Sequence, residues 1–349
     1  MGFWADGWSR VKLIGLTPLS TQSGFTAVIT GANIPASVFA DSIDGGGDLR
    51  ICTDAAGNNQ LAIEVVSWVK GSSTAELHVR FDTYSSSARE LYLFYGKAGQ
   101  IQPLVTDTFG RNAVWQDEEL VVHLANVNPA SIVDSTGNHT LTLFGGMTSG
   151  NDGGMLFDGE DDYISAPDSP GFDMLNTLSL RTIISSSTAT GRTIVGRPWI
   201  SHSNPWLAYA LHTASDGVQG RIETTAVENS NVVINDGNPH YLSLNYDSSQ
   251  MSVGVDNAAA VTIAKTSALA NIDSPFYIGR NRSSNEFFAG RIKTVMLRGQ
   301  SLSEDYRSLE QSNQLSPASF WTTGAPEAPG GSDVKAYVIM NHLRNQGIS

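Results

Sequence analysis

The sequence is poor in cysteine, in charged residues and in long apolar runs. Cys52 is the only cysteine in 349 residues, which excludes an intrachain disulfide and a zinc site built from several cysteines. Charged side chains make up 16% of the chain, and 21 basic against 34 acidic residues give a net charge of −13. Such a chain cannot neutralise a run of phosphates, so we expect no nucleic-acid partner. No apolar stretch approaches ~18 residues, so we expect no transmembrane helix and no membrane insertion.

The N-terminal segment also lacks the features of an export signal. MGFWADGWSRVKLIG has no basic start, no apolar centre and no small-residue cleavage site. We therefore expect a soluble protein that has no signal peptide and is not routinely secreted. The lack of disulfides agrees with folding in a reducing compartment.

Short strands and turns dominate the chain instead. Glycine contributes 34 residues, and apolar and polar positions alternate in many short runs, as in half-buried strands. In the first hundred residues the strand candidates are RVKLIGL (10–16), FTAVIT (25–30), LAIEVVSWV (61–69), ELHVRF (76–81) and RELYLFYG (89–96). Turn clusters such as DGGGD (44–48) separate them.

The second region shows the same pattern on a larger scale. Its strand candidates include LVVHL (120–124), LSLRTIIS (178–185), WLAYALH (206–212), PHYLSLNYD (239–247) and GRIKTVMLRG (290–299). Strands at this density without alternating helices predict an antiparallel sandwich or barrel. One helix is predicted over 301–313, where Ser301 and Glu304 have capping-box spacing and Leu302, Tyr306 and Leu309 make one apolar face.

These patterns predict an all-β protein with four segments. Residues 1–100 form an N-terminal β-sandwich-like domain, and residues 101–113 form a linker. The larger antiparallel β domain covers 114–313 and ends in the short C-terminal helix. Residues 314–349 form a Pro/Gly-rich linker and a docking segment, because WTTGAPEAPGGSD has linker composition and the last 16 residues are too few to fold alone.

The second region resembles the laminin-G-like, concanavalin-A-like jelly-roll family. The resemblance rests on DSTGN (134–138), GGMLFDGEDDYISAP (153–167), FYIGRN (276–281) and FFAGRIKTVMLRGQSLSEDYRSL (287–309), in that order. It implies a concanavalin-A-like antiparallel jelly roll. Tyr241 stands where the family commonly has tryptophan, and the stretch 192–227 follows no family pattern.

The first region, with DGGGDLRICTDAAG (44–57) and ELYLFYGKAG (90–99), resembles a small β domain of unassigned function. That domain often precedes laminin-G-like domains in phage structural proteins and microbial surface proteins. Together the two regions resemble a phage virion protein of the tail or capsid surface. This resemblance implies an adhesive or decorating role rather than a known chemistry.

No catalytic residues are predicted. Retaining glycosidases need two carboxylates about 5–5.5 Å apart, usually from alternate residues of one strand, and no E-x-D-x-E run is present. The acidic run GEDDY (159–163) lacks that spacing. A nucleophile elbow and a phosphate-binding loop are also missing. We therefore expect a protein that is not an enzyme.

Calcium is the one cofactor that the sequence suggests, as a structural ion. Ca²⁺ takes six to eight oxygen ligands, and two turns offer such oxygens: DSTGN with Asp134 and Asn138, and FDGEDDY with Asp158, Asp161 and Asp162. The competing interpretation is an Asx turn and solvated acids. The two interpretations carry equal weight at this point.

A glycan is the ligand that the resemblance implies. Sugars stack on aromatic rings, and the stretch without a family pattern contains Trp199, His202, Trp206 and Tyr209. These four are the candidate glycan-binding residues. Core packing is the competing interpretation and is modestly favoured.

Together with the resemblance to a phage virion protein, the acidic composition, the lack of disulfides and the lack of an export signal favour a phage virion structural protein. It would be made in the host cytoplasm, be displayed on tail or capsid, and adhere to host-surface glycans or decorate the particle. Segment 334–349, and also the N-terminus, would contact other virion proteins, and identical subunits would form a homo-oligomer. A non-viral carbohydrate-binding protein is the first alternative. A glycan depolymerase is the second.

Overall fold

The computed structural model describes residues 2–151, 153–188, 191–198, 206–215, 217–282 and 286–329. The chain forms two compact units. The first consists of Met1–Gly110 and Pro317–Ser349, and the second is Arg111–Ser316. The second unit is thus inserted into the first.

The strands are antiparallel throughout the described sheets. In chain order they are β1 Ser9–Gly15, β2 Gln22–Thr30, β3 Arg50–Cys52, β4 Ile63–Val69, β5 Thr74–Tyr84, β6 Glu90–Tyr95, β7 Leu120–His123, β8 Thr142–Phe144, β9 Met155–Asp158, β10 Tyr163–Ala166, β11 Leu178–Ser185, β12 Thr193–Pro198, β13 Leu207–Thr213, β14 Val218–Ile222, β15 Thr225–Asn229, β16 His240–Tyr246, β17 Gln250–Val255, β18 Val261–Ala264, β19 Phe276–Ile278, β20 Ala289–Arg298 and β21 Trp321–Thr323.

Helices are short and few in the described ranges. The α-helices are α1 Ala36–Asp41, α2 Arg111–Val114, α3 Glu304–Leu315 and α4 Pro317–Phe320. Short 3₁₀ turns occur at Gly31–Asn33, Lys70–Ser72, Pro129–Ser131 and Pro170–Phe172. None of these helices has the length and apolar character needed to cross a bilayer. The prediction of an all-β fold is confirmed.

The first unit contains two small sheets. One has the order β21-β1-β6-β3 and the other β2-β5-β4. Alternate residues of β1 point inward, and Val11 and Leu13 are buried. Cys52 packs beside Trp8 and Phe94, and burial raises the pKa of its thiol to about 12. The cysteine is therefore an unreactive part of the core.

The second unit is a sandwich of two larger sheets. The first sheet, here called the front sheet, has the order β15-β14-β13-β12-β19-β10-β8. The second, the back sheet, has the order β18-β17-β16-β11-β20-β7, and β9 also pairs with β20. Their inward-facing residues form one apolar core that includes Ile164, Leu180 and Ile278. Alternation along each strand leaves the other face of the front sheet free to carry polar and aromatic side chains.

Helix α3 packs against the outer side of the back sheet, through β16. It begins at Glu304 rather than at Ser301, because the Ser303 hydroxyl accepts a hydrogen bond from the Tyr306 amide at 3.1 Å. The predicted cap at Ser301 was therefore two residues too early. The apolar residues Tyr306 and Leu309 are buried, as the periodicity indicated.

The segment after α3 returns to the first unit. Sequence composition assigned residues 314–349 to a linker and a docking segment, but β21 pairs with β1 and the Trp321 indole donates to the Val28 carbonyl at 2.8 Å. Residues 101–110 likewise belong to the first unit rather than to a linker. The predicted docking segment 334–349 lies outside the described residues.

Candidate functional site

A partly exposed aromatic surface lies on the outer face of the front sheet, near its β8 edge, with Phe144 exposed and the other rings half-buried. Phe144 of β8 pairs with Tyr163 of β10 in the sheet register, and their rings stack at 4.3 Å with an interplanar angle of 5°. The ring of Tyr163 also lies 6.0 Å from that of Tyr277 and 6.1 Å from that of Phe287. We call these four residues, together with Arg280, the aromatic platform.

Strand alternation produces this surface. In β10 the side chains of Ile164 and Ala166 are buried in the core, so Tyr163 must point to the opposite face. In β19 Phe276 and Ile278 are buried, so Tyr277 points outward as well. Because β10 pairs with β19, two tyrosines that are far apart in the sequence meet on one face.

Arg280 lies over the platform. Its guanidinium carbon is 4.3 Å from the centroid of the Tyr163 ring, 5.4 Å from that of Tyr277 and 5.1 Å from that of Phe287. Its Nε donates to the Asn281 carbonyl at 2.7 Å, and its Nη2 donates to the Arg282 carbonyl at 2.8 Å. Such cation–π contacts and hydrogen bonds hold the guanidinium in place. The platform therefore combines apolar ring faces with a fixed polar group.

An acidic turn, residues 158–162, borders the platform. The carboxylates of Asp158, Asp161 and Asp162 lie within 4.8 Å of one another. A Cβ on Gly145, next to Phe144, would lie 2.2 Å from Asp162 Oδ1, and the φ of Gly145 is +83°. Only glycine fits this position, and the close approach joins the acidic turn to the aromatic platform.

Asp158 organises the turn. Its Oδ1 accepts the amides of Glu160 at 2.8 Å, Asp161 at 3.2 Å and Asp162 at 3.4 Å. The slight burial of Asp158 works to raise its pKa, but these amides outweigh that effect and the net pKa lies below its usual value. Gly159 permits the turn with a φ of +81°. Asp158 is therefore ionised over the whole physiological range.

The pKa of Asp162 shifts in the opposite direction to that of Asp158. The residue is 4% exposed. Its Oδ2 accepts the Asp158 amide at 3.1 Å, whereas its buried Oδ1 has no hydrogen-bond partner of normal geometry. Burial is the main reason that the pKa of Asp162 is raised, and the charges of Asp158 and Asp161 add to the rise against the amides of Asp158 and Gly146. A buried carboxylate oxygen without a partner is costly, and a bound cation would stabilise it.

The spacing of the three carboxylates in the acidic turn is compatible with Ca²⁺. Two oxygens bound to one calcium at 2.3–2.6 Å lie at most about 5 Å apart, and the three carboxylates meet this limit. The unpartnered Oδ1 of Asp162 supplies a ligand that water does not reach. These residues could therefore hold a calcium ion beside the platform.

The other two predicted calcium ligands, Asp134 and Asn138, already form hydrogen bonds within the protein. Asp134 Oδ1 accepts the amides of Val121 and Thr136, both at 3.0 Å. Its Oδ2 accepts the Thr136 hydroxyl at 2.6 Å and the amides of Asn138 and His139 at 3.1 and 3.0 Å. The side-chain amide of Asn138 donates to the Glu119 carbonyl at 3.2 Å. The Asx-turn interpretation therefore accounts for Asp134 and Asn138, and the cluster at 158–162 does not include them.

Two of the predicted glycan residues, Trp206 and Tyr209, are described, and neither is part of the platform. Tyr209 is fully buried, and its hydroxyl donates to the Phe172 carbonyl at 3.0 Å, so it cannot present its ring to a ligand as predicted. Trp206 is 44% exposed and has a φ of 71°, just before β13 begins at Leu207. Trp199 and His202 lie outside the described residues.

The sequence contains part of the signal for the platform. Tyr163 in DDYISA and Tyr277 in PFYIGR alternate with core residues, so their outward direction follows from strand period alone. Their closeness follows only from the pairing of β10 with β19.

Residues 158–306 match the family model Laminin_G_3, described as the concanavalin A-like lectin/glucanases superfamily. The match begins in the acidic turn and covers the whole platform except Phe144. No curated protein matches the chain.

Several solved structures are similar to part of the chain. The binding domain of Paraclostridial Mosquitocidal Protein 1 is 10% identical with a TM-score of 0.45, over 56% of this chain and 52% of that one. The binding domain of botulinum neurotoxin serotype D is 12% identical with a TM-score of 0.43, over 57% of this chain and 52% of that one. Domain 4 of AbnA, a GH43 extracellular arabinanase from Geobacillus stearothermophilus in complex with arabinotriose, is 14% identical with a TM-score of 0.43, over 56% and 98%. The chain spans about half the length of the two toxin chains. From the family match and the two packed antiparallel sheets, the second unit contains a concanavalin A-like jelly-roll domain.

Proposed function

We propose that the protein is a non-catalytic glycan-binding protein and that the aromatic platform is its saccharide site. One observation carries this proposal: four aromatic rings, three of them in contact with a fixed arginine, form a surface beside three carboxylates on the outer face of the front sheet. The apolar C–H face of a sugar packs on aromatic rings, and its hydroxyls need polar partners at the rim. Arg280 and Asp161 are in position to act as a donor and an acceptor at that rim.

Calcium belongs to this proposal as a structural ion. Bound at Asp158, Asp161 and Asp162, it would neutralise the like charges that the turn brings together. It would also fix the loop that lies against Gly145 and Phe144. Saccharide binding is then expected to strengthen when calcium is present.

A glycosidase is disfavoured by the hydrogen bonding and burial of the acids. Retaining glycosidases hold their two carboxylates about 5–5.5 Å apart, and one carboxylate oxygen of Asp158 lies within 4.8 Å of one of Asp162. However, Asp162 Oδ1 is shielded from solvent and Oδ2 is bonded to the Asp158 amide. Asp158 Oδ1 is bonded to three amides. Asp162 therefore cannot readily exchange a proton with a substrate, and Asp158, whose pKa lies below its usual value, is a poor general acid.

The cellular setting that we propose is the surface of a phage particle, on tail or capsid. Support comes from the resemblance of both regions to virion proteins and from a chain that needs no disulfide. Segment 334–349, and also the N-terminus, would join the protein to other virion proteins, and several copies would bind a host surface together. Multivalent display suits a binding site of modest affinity.

A glycan array with and without calcium tests the saccharide site, followed by calorimetry on the glycans that bind. We expect Phe144→Ala and Tyr163→Ala to weaken binding about tenfold or more, as loss of a central aromatic contact does. Tyr92→Ala is the matched control, because Tyr92 is a half-buried tyrosine beside Arg10 in the first unit. Equal affinity in the two platform variants and the wild type, or no glycan bound under either condition, would overturn the proposal.

A further inference from the structure

A polar groove of about 510 Å³ lies on the outer face of the back sheet, beside the start of α3. Its floor is a cross-strand row, in which Asn245 of β16 pairs with Ser252 of β17 and Ser252 pairs with Thr262 of β18. One wall is formed by residues 301–304 and Arg307, and the other by Asp247 and Gln250. This volume is in the range of small-molecule sites.

Asn245 gives the floor an unused donor. The Leu302 amide donates to Asn245 Oδ1 at 3.3 Å, and this contact fixes which way the side-chain amide points. Asn245 is only 3% exposed, and its Nδ2 is buried without a hydrogen-bond partner. A buried amide in that state is costly, so a ligand oxygen that reaches the floor removes a penalty as well as forming a bond.

Arg307 adds a second unused donor to the same groove. Its Nη1 donates to the Ser243 hydroxyl at 3.3 Å, a long hydrogen bond, while its Nε is buried without a partner. Ser243 precedes Asn245 by two residues on β16 and so lies on the same face. The charge of Arg307 and the amide of Asn245 therefore serve one region of the groove.

The remaining lining limits the charge of the ligand. Glu304 and Asp247 also line the groove, and two carboxylates against one arginine oppose a multiply charged anion such as a phosphate ester. The Asp247 Oδ1 is used by its own turn, where it accepts the amides of Ser249 and Gln250, both at 2.9 Å. Among the described residues that line the groove none is aromatic, so recognition must rest on hydrogen bonds.

We propose that this groove is a second ligand site, which binds a hydroxylated monocarboxylate of the sugar-acid class. The carboxylate accepts from Asn245 Nδ2 and from the Arg307 guanidinium, as carboxylates do in charge-assisted pairs. The hydroxyls bond to Ser252, Thr262 and Glu304. The site lies on the sheet opposite the aromatic platform and does not depend on it.

Titration calorimetry with sodium glucuronate tests this site on the full chain, with glucose as the uncharged probe. We expect saturable glucuronate binding, and binding of glucose about tenfold weaker or more. Arg307→Gln removes the charge and is expected to weaken glucuronate binding by a similar factor. Thr262→Tyr fills the groove from an exposed strand position, with little expected effect on folding, and is expected to abolish binding.

Two control variants distinguish binding in this groove from binding at the aromatic platform and from a general effect of a bulky substitution. Thr83→Tyr makes the same change at an exposed strand position of the first unit, and Tyr163→Ala removes the centre of the aromatic platform. Both are expected to bind glucuronate as the wild type does. Absence of glucuronate binding, equal binding of glucose, or unchanged binding in Thr262→Tyr would overturn the inference. Loss in Tyr163→Ala would assign the binding to the platform instead.

Discussion

Asp162 is the residue on which the calcium proposal depends most. Its Oδ1 is buried without a partner among two other carboxylates, so a bound cation has its largest effect there. We expect calcium to raise the melting temperature of the wild type. A calcium concentration of about 100 times the Kd corresponds to about 2.7 kcal/mol of stabilisation.

Asp162→Asn tests this expectation, and Glu160→Gln is its matched control. The first is expected to remove the calcium-dependent shift, and the second to keep it, because Glu160 is exposed in the same turn but lies outside the cluster. Thermal unfolding with calcium and with a chelator measures both. A calcium-dependent rise in melting temperature that persists in Asp162→Asn would contradict the calcium site.

His240 gives the jelly roll a pH-dependent contribution to stability. Its Nδ1 lies 2.7 Å from Asp256 Oδ2 and its Nε2 lies 3.0 Å from Asp236 Oδ1. The hydrogen bond to Asp256 is the main reason that the pKa of His240 is raised above 6.5. The amide of Asn238 and the contact with His240 lower the pKa of Asp236 to about 2.

The shifted pKa values of His240 and Asp236 define the pH range in which this contribution to stability is present. The folded state binds the His240 proton more tightly than the unfolded state does, so this contribution is complete below about pH 6.5 and is lost as pH rises through the raised pKa. The Asp236 contribution is complete above about pH 4 and is lost as pH falls towards 2. We expect His240→Gln to cost more free energy of unfolding at about pH 5 than at about pH 9. Urea titrations at both pH values measure the difference, and equal costs would show that His240 is not charged in the fold.

At the scale of elements, β21 closes the first unit. Trp321 and Phe320 are 4% and 3% exposed, and Phe320 packs against Phe25 and Tyr84 at 6.4 and 6.2 Å. The Thr323 hydroxyl donates to the Asn33 carbonyl at 2.8 Å. This strand is therefore an integral part of the first unit's core.

Trp321→Ala is expected to destabilise the first unit by about 3–5 kcal/mol, the usual cost of removing a buried large aromatic side chain. Thr322→Ala is the matched control, since its side chain is exposed on the same strand. Hydrogen exchange read by mass spectrometry localises the effect. Faster exchange in β1 and β6, with the jelly roll unchanged, is the expected pattern, and equal exchange in the two variants would contradict it.

The elements also show what the sequence could and could not reveal. Strand alternation located most strands, because each core-facing residue is followed by one that faces outward. The spacing of Tyr306 and Leu309 indicates the helix, but nothing in the local sequence marks Glu310 as buried. It is 2% exposed, accepts the Tyr241 hydroxyl at 2.6 Å and lies 2.9 Å from the Arg181 guanidinium. A charged residue that pairs with a partner far away in the sequence has no local signature.

Prediction of the candidate site from the sequence meets the same limit, because contacts between distant residues have no local signature. The acidic turn was visible because Asp158, Asp161 and Asp162 are neighbours in the chain. The platform was not, because Phe144, Tyr163 and Tyr277 meet only through strand pairing. The return of β21 to β1 was hidden as well, since a three-residue strand beside Pro and Gly resembles a linker.

At the scale of the whole molecule, the proposed role predicts where the protein is found. Mass spectrometry and electron cryo-microscopy of purified particles of the encoding phage are expected to detect it as an ordered surface component in several copies. Its absence from particles would contradict the virion role. The non-viral carbohydrate-binding protein would then be the better description, and the glycan array would remain its test.

The insertion of one unit into the other also sets an order of events during synthesis. Val28 and Trp321, which share a hydrogen bond, are 293 residues apart. At about 5–20 residues per second, a ribosome needs about 15–60 s to cover that interval. All of the jelly roll is made within it, while the free edge of β1 waits for its partner strand. The unit that is translated first is therefore the last to be completed.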